Sequence, residues 1–93
     1  LTNAMLPGAY LAGAHLLNAR LTYADLIGAT LSDARLDYTN LTGARLNWAN
    51  LTGVNLTDAT LTNATLTGAN LSGVTWSNTI CPDGTVTSTG CPT

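Results

Sequence analysis

Residues 41–60 read LTGARLNWANLTGVNLTDAT, with a leucine at every fifth position. Followed outward in both directions, the ladder runs from Leu1, Leu6 and Leu11 to Leu71, fifteen leucines without a miss, and Trp76 closes it. Two residues before each later rung stands a small residue, Ala4 and Ala9 through Ala69, with Thr39, Val54 and Val74 as the exceptions. On an α-helix a five-residue step advances about 140° at roughly 100° per residue, which scatters the leucines around every side. On a flat strand an odd step sends successive leucines to opposite faces. A chain that turns the same way once per repeat buries them all.

Within each repeat the expected order is small residue in, variable residue out, leucine in, then two residues turning a corner. The second corner position is Gly, Asn or Asp at thirteen of its sixteen occurrences, from Asn3 to Asn78. These are the residues that tolerate positive φ best, as a tight corner requires. Tyr23, Tyr38 and Trp48 are the other three. Four corners close a coil of twenty residues, and stacked coils rise by roughly 4.8 Å each. The pattern therefore predicts about four coils in a column roughly 19 Å tall, with positions twenty apart lying one above the other.

The unit is clearest in Ala49-Asn50-Leu51-Thr52-Gly53 and Ala69-Asn70-Leu71-Ser72-Gly73. It resembles the tandem repeat of the pentapeptide repeat family, and the resemblance covers residues 1 to about 78. It implies an all-β chain, a right-handed quadrilateral β-helix over 1–78, with residues 79–93 as a capping tail. Function is not implied with it, because the family hosts several unrelated roles.

Composition narrows the classes. The 93 residues are 45% hydrophobic but only 5% aromatic, with no Phe, as suits a narrow interior of leucine and alanine in one small domain. Five Asp against Arg20, Arg35 and Arg45 give a net charge of -2, the wrong balance for a nucleic-acid binder, which needs a basic face. The apolar runs are too short for membrane insertion. The chain starts inside the repeat without a signal-peptide pattern, so a mature or trimmed product is expected. No catalytic, cofactor or metal set stands out. His15 is the only histidine, and it falls above Arg35 rather than beside an orienting carboxylate. An enzyme is not expected.

Function is then sought where the outside departs from uniformity. The first coil carries Met5, Pro7, Tyr10, Ala12 and Leu17 where later coils carry Thr, Ser and Asn. Met5, Tyr10 and Leu17 are the candidates for a covered surface, through a protein partner or self-association. In the next two coils Asp25 is expected directly over Arg45, with Tyr23 and Trp48 at the flanking corners. As an exposed ion pair this is worth roughly 0–1 kcal/mol. As a recognition patch it has the residue types that dominate binding hot spots. Arg35 and Asp37 are expected to share the outside of another face. The fourth coil is nearly all Thr, Asn, Ser and Gly outside, which strand geometry explains; an ice- or surface-binding array is a remote alternative.

In the tail, Trp76 is placed to plug the end of the leucine column. Cys81 and Cys91 bracket the turn signal Pro82-Asp83-Gly84. Ten residues apart around a turn, they are placed to meet as a disulfide closing a terminal cap. The rival is a metal site, for which two Cys and one distant His are too few ligands. The tail also resembles the cysteine-bearing caps of some bacterial family members, including lumenal or periplasmic ones from cyanobacteria. An oxidised pair implies an extracytoplasmic setting: periplasm, lumen or secreted.

Two function classes follow. One is a structural or protein-interaction module that presents side chains in columns. The other is implied by the resemblance, since some members mimic B-DNA and bind DNA gyrase, giving quinolone resistance. B-DNA carries one negative charge per roughly 1.7 Å, so a 19 Å mimic needs about eleven; this chain has five acids. The tail also takes the place of the helical dimerisation extension typical of those inhibitors. The interaction module ranks first.

Overall fold

The computed structural model describes residues 1–92; Thr93, the last residue of the expected tail, lies outside them. Backbone pairing repeats with a period of twenty. Parallel rungs join Met5 to Asp25, Tyr10 to Thr30, His15 to Arg35 and Arg20 to Asn40, and the series continues to Thr60 with Ile80. Four columns of rungs and four corners per twenty residues make a four-sided β-solenoid, as the leucine period predicts.

The local chemistry is uniform. At each corner the small residue donates its N–H to the leucine carbonyl three residues back, as Ala24 does to Leu21 at 3.0 Å. This closes a four-residue turn whose third residue needs positive φ. Gly28 and Gly43 hold it at 68° and 69°, and Asn3, Asp33 and Asn63 at 60–62°. Between corners, Leu6 donates to Asp25 and Asp25 to Ala4, both at 2.8 Å. A corner every five residues leaves one outward rung residue per side, so the sides never lengthen into strands. Among the described residues the only strands are β1 (Thr79–Ile80) and β2 (Val86–Thr87), an antiparallel pair in the tail.

The recurring Asn-Leu-Thr has a second cause. The Oδ1 of Asn40, Asn50 and Asn55 accepts both the N–H and the hydroxyl of the threonine two residues on, the hydroxyl at 2.6 Å each time. The side chains thus staple the entry to the corner. Thr42, Thr52 and Thr57 are committed to these contacts, which is their structural reason. Thr39, at an inward position, is buried and donates its hydroxyl to the Leu16 carbonyl at 2.8 Å. Thr79 does the same to Leu56 at 2.7 Å.

The core is a stack of leucines from Leu21 to Leu61, each at most 1% exposed, lined by alanines and Val54. Its two ends differ. Leu6, Leu11 and Leu16 are only half-buried, and Leu1 is 64% exposed. At the other end the tail folds against the column. Cys81 and Cys91 form a disulfide with their Cα atoms 5.4 Å apart, Cys81 is fully buried, and Cys91 packs on the core. Trp76 packs there too, with Gly90 close to its indole nitrogen. Asp83 Oδ1 accepts from the N–H and hydroxyl of Thr85, and the hydroxyl contact above all holds its pKa below the ordinary value.

Candidate functional site

The side carrying Met5, Asp25, Arg45 and Thr65 is one column of rungs, each residue over the next. Arg45 Nη1 lies 3.6 Å from Asp25 Oδ2, with the arginine largely exposed. Asp25 keeps its other oxygen for the Ile27 N–H at 3.1 Å. Tyr23 and Trp48 stand at the two corners of this side, 62% and 68% exposed, with φ of 59° and 63°. A bulky residue in the left-handed region costs about 1 kcal/mol or more, and neither ring recovers that by burial in the core.

Each ring has a socket. A Cβ on Gly43 would overlap the Tyr23 ring, and one on Gly68 would overlap the Trp48 ring. Both glycines are twenty residues on, so each aromatic lies against the bare corner of the turn below. The signal was in the sequence, as 23 plus 20 and 48 plus 20. Tyr38, also exposed and at positive φ, has Asp58 beneath it and no such socket.

The remaining candidates do not join this side. Tyr10 heads the next column and is 80% exposed. Leu17 sits at the corner diagonally across from the one that holds Trp48. His15 lies over Arg35, as expected.

Asp37 departs from the expectation that it shares the outside with Arg35. It is 7% exposed. Its Oδ2 accepts from Arg35 Nη2 at 3.1 Å and Asn55 Nδ2 at 3.2 Å, while Oδ1 is buried without a partner. As a corner residue beneath Leu17 it is shielded, which the in-out alternation did not convey. A half-satisfied buried carboxylate is a liability held in check by its cation. Replacing Arg35 by alanine should therefore cost about 1–2 kcal/mol. Asp37→Thr, which installs the residue found at position 57 of the same corner, should be nearly neutral. Thermal melts of the two variants check this, and equal destabilisation would contradict it.

Among the described residues there is no cavity and no group of three metal-capable side chains. Among these residues no helix is long and apolar enough to cross a membrane. What the molecule offers is a rigid wall of side chains in register.

A leucine-cored solenoid with four corners per twenty residues and a disulfide-closed tail defines the class. The pattern of pentapeptide repeats, in 8 copies, matches residues 1–33 and 39–78, and the chain belongs to that family. No curated protein matches it. Among solved structures it is similar to a pentapeptide repeat protein of the Arabidopsis thaliana thylakoid lumen, at 38% identity over 77% of this chain, with a TM-score of 0.76. It is also similar to one from Nostoc PCC 7120, at 33% identity over 89% of the chain and a TM-score of 0.82. HetL of that cyanobacterium, involved in heterocyst differentiation regulation, matches at 30% identity over 94% and a TM-score of 0.53. The chain spans 50%, 69% and 51% of the lengths of these three.

Proposed function

We propose that the chain is a non-enzymatic protein-interaction module whose contact face is the side formed by Met5, Tyr23, Asp25, Arg45 and Trp48. One observation carries this reading. Two aromatic rings are kept exposed at corners where Gly, Asn or Asp serves elsewhere, each seated on a glycine, on either side of a charged pair. Tyr, Trp and Arg are the residues that dominate protein hot spots. The scaffold is a right-handed quadrilateral β-helix of about four coils over residues 1–78. Residues 79–93 are its cap and Trp76 its end plug. The first coil, with Met5, Tyr10 and Leu17, is a second contact surface, for a protein partner or another copy. The Cys81–Cys91 bond and the likeness to a thylakoid-lumen protein support an extracytoplasmic setting.

The test is the double variant Tyr23→Asn/Trp48→Gly, which installs residues that other corners already use. It should melt at or slightly above the wild-type temperature, because two strained corners are relieved. It should also fail to retain the protein that wild type retains from an extract of the source compartment. A partner held equally by both forms would remove this side from consideration. Gyrase binding by DNA mimicry is the weaker reading, since five acids fall well short of the roughly eleven charges of a duplex this long.

A further inference from the structure

The contact side has a cation at its centre and few anions near it. Arg45 Nη1 stands 3.6 Å from Asp25 Oδ2, attracted but outside hydrogen-bond reach. The two partners differ in access. The arginine side chain is 60% exposed and the aspartate 13%, and the aspartate's other oxygen is held by the Ile27 N–H. A molecule arriving at this side therefore meets the guanidinium first. The other acids stand away from it. Asp33, Asp37 and Asp58 belong to the two far corners, which flank the opposite side of His15 and Arg35. Asp83 follows Pro82, whose carbonyl takes the Asn63 N–H, two turns and roughly 10 Å beyond Gly43.

The aromatic rings complete a row. Tyr23 leaves the backbone one turn earlier, but its ring reaches the Gly43 corner, level with Arg45. Trp48 stands at the other end of that side. Its Cδ2, Cε3 and Cζ3 atoms all crowd the place a Gly68 Cβ would take, so one face of the indole lies on that corner and the other faces outward. Across the turn of residues 41–60 the order is ring, guanidinium, ring. Gly43 and Trp48 are five residues apart, so the row spans at most about 17 Å.

We infer that this row binds an extended acidic segment of a partner protein, with one carboxylate between two apolar side chains. The row belongs to the contact face proposed above, on which the inference rests, and the acidic segment is what that face takes. An extended chain sets alternate side chains on one face about 6.6 Å apart, so three of them cover about 13 Å. That fits within the row, and it fixes the pattern as apolar, any, acidic, any, apolar. The carboxylate takes two N–H groups of the guanidinium fork, and its apolar neighbours lie against the rings. A basic segment meets repulsion from Arg45 before it can reach Asp25.

Asp25→Asn isolates the charge. Asn40, Asn50 and Asn55 hold the equivalent places in their own repeats and accept the N–H two residues on, as Asp25 does. The variant therefore keeps the corner and releases Arg45. Arg45→Thr removes the cation and installs the residue found at position 65 of the same column. The probes are amidated peptides with a neutral fluorophore and the cores Phe-Ser-Glu-Ser-Phe, Phe-Ser-Gln-Ser-Phe and Phe-Ser-Lys-Ser-Phe, read by anisotropy against the full chain. The glutamate peptide should bind about fivefold tighter than the glutamine one, and the lysine peptide weakest. Asp25→Asn should tighten the glutamate peptide about threefold and leave the glutamine peptide unchanged. Arg45→Thr should erase the glutamate preference without lowering the melting temperature. Equal binding of the glutamate and glutamine peptides overturns the inference, as does no binding at millimolar peptide. An oligogalacturonate held through Arg45 where the glutamate peptide is not also overturns it, and makes the ligand an acidic sugar. Retention from the extract judges the contact face separately. If Tyr23→Asn/Trp48→Gly loses the retained protein while the peptides show no charge preference, the face stands and the acidic segment falls.

Discussion

Replacing Leu41 by alanine should lower the free energy of unfolding by about 3–5 kcal/mol, toward the upper end of what a buried leucine deletion costs. Leu41 is completely buried, with Leu21 above it and Leu61 below, both at 1% exposure. The cost of such a deletion depends on how far the site can collapse around the void. Here it can collapse little, because the walls are backbone rungs. Leu41 donates to the Thr60 carbonyl at 2.7 Å, Leu21 to Asn40 at 2.8 Å and Leu61 to Ile80 at 2.8 Å. Each leucine is pinned by its own main chain, so its neighbours cannot slide inward to fill the gap. Urea denaturation followed by circular dichroism measures the effect as a lower midpoint at unchanged slope. Leu6→Ala, at the half-buried end, should cost visibly less. Equal costs at the two positions would mean that the column is not the rigid stack described.

The second large effect concerns the tail. Removing the Cys81–Cys91 bond, by reductant or by Cys81→Ala/Cys91→Ala, should cost about 3 kcal/mol, the chain-entropy value for so short a loop. The loss should begin at the cap. Cys81 N–H donates to the Thr85 carbonyl and Ile80 N–H to Ala59, so these amides should exchange with solvent early. Leu41 and Leu46 amides should keep their protection. The measurement is hydrogen exchange with and without reductant, alongside a thermal melt. A melting temperature unchanged by reduction would show that the tail contributes nothing to the column. Acid should loosen the same segment. The Asp83 carboxyl has its pKa lowered by Thr85, so its contribution is present above the ordinary carboxylate pKa and is lost as the pH falls through the depressed one.

Most of the fold was legible because its cause repeats. Leucine every fifth residue, alanine two before it and a Gly, Asn or Asp corner state the same four-sided coil again and again, and local preference agrees with global shape throughout. The Asp25–Arg45 pairing and the placing of His15 over Arg35 followed from the twenty-residue rule alone. What resisted reading was whatever depends on how a side chain bends. The in-out alternation placed Asp37 outside, yet a corner residue can fold back under Leu17 and be buried. It named Asn and Thr as separate surface residues, whereas Asn40 and Thr42 are one hydrogen-bonded unit. The glycine sockets under Tyr23 and Trp48 could have been found by adding twenty to each number. The candidate contact residues of the first turn are less legible still, because Met5, Tyr10 and Leu17 stand on three different flanks of it.

The constant spacing of the rungs also bears on how such a chain comes to be folded. Every ladder contact joins residues twenty apart, so no contact waits for a distant segment to arrive. The loop that must be closed to add a turn is the same at any point in the column, and its entropic cost does not grow as the column lengthens. Only the first two turns must meet without a template. After that, each added turn docks on an edge already formed, and growth proceeds as a zipper. A longer relative should therefore fold through the same initial barrier as this one, and its extra turns should add to stability without slowing the first committed step.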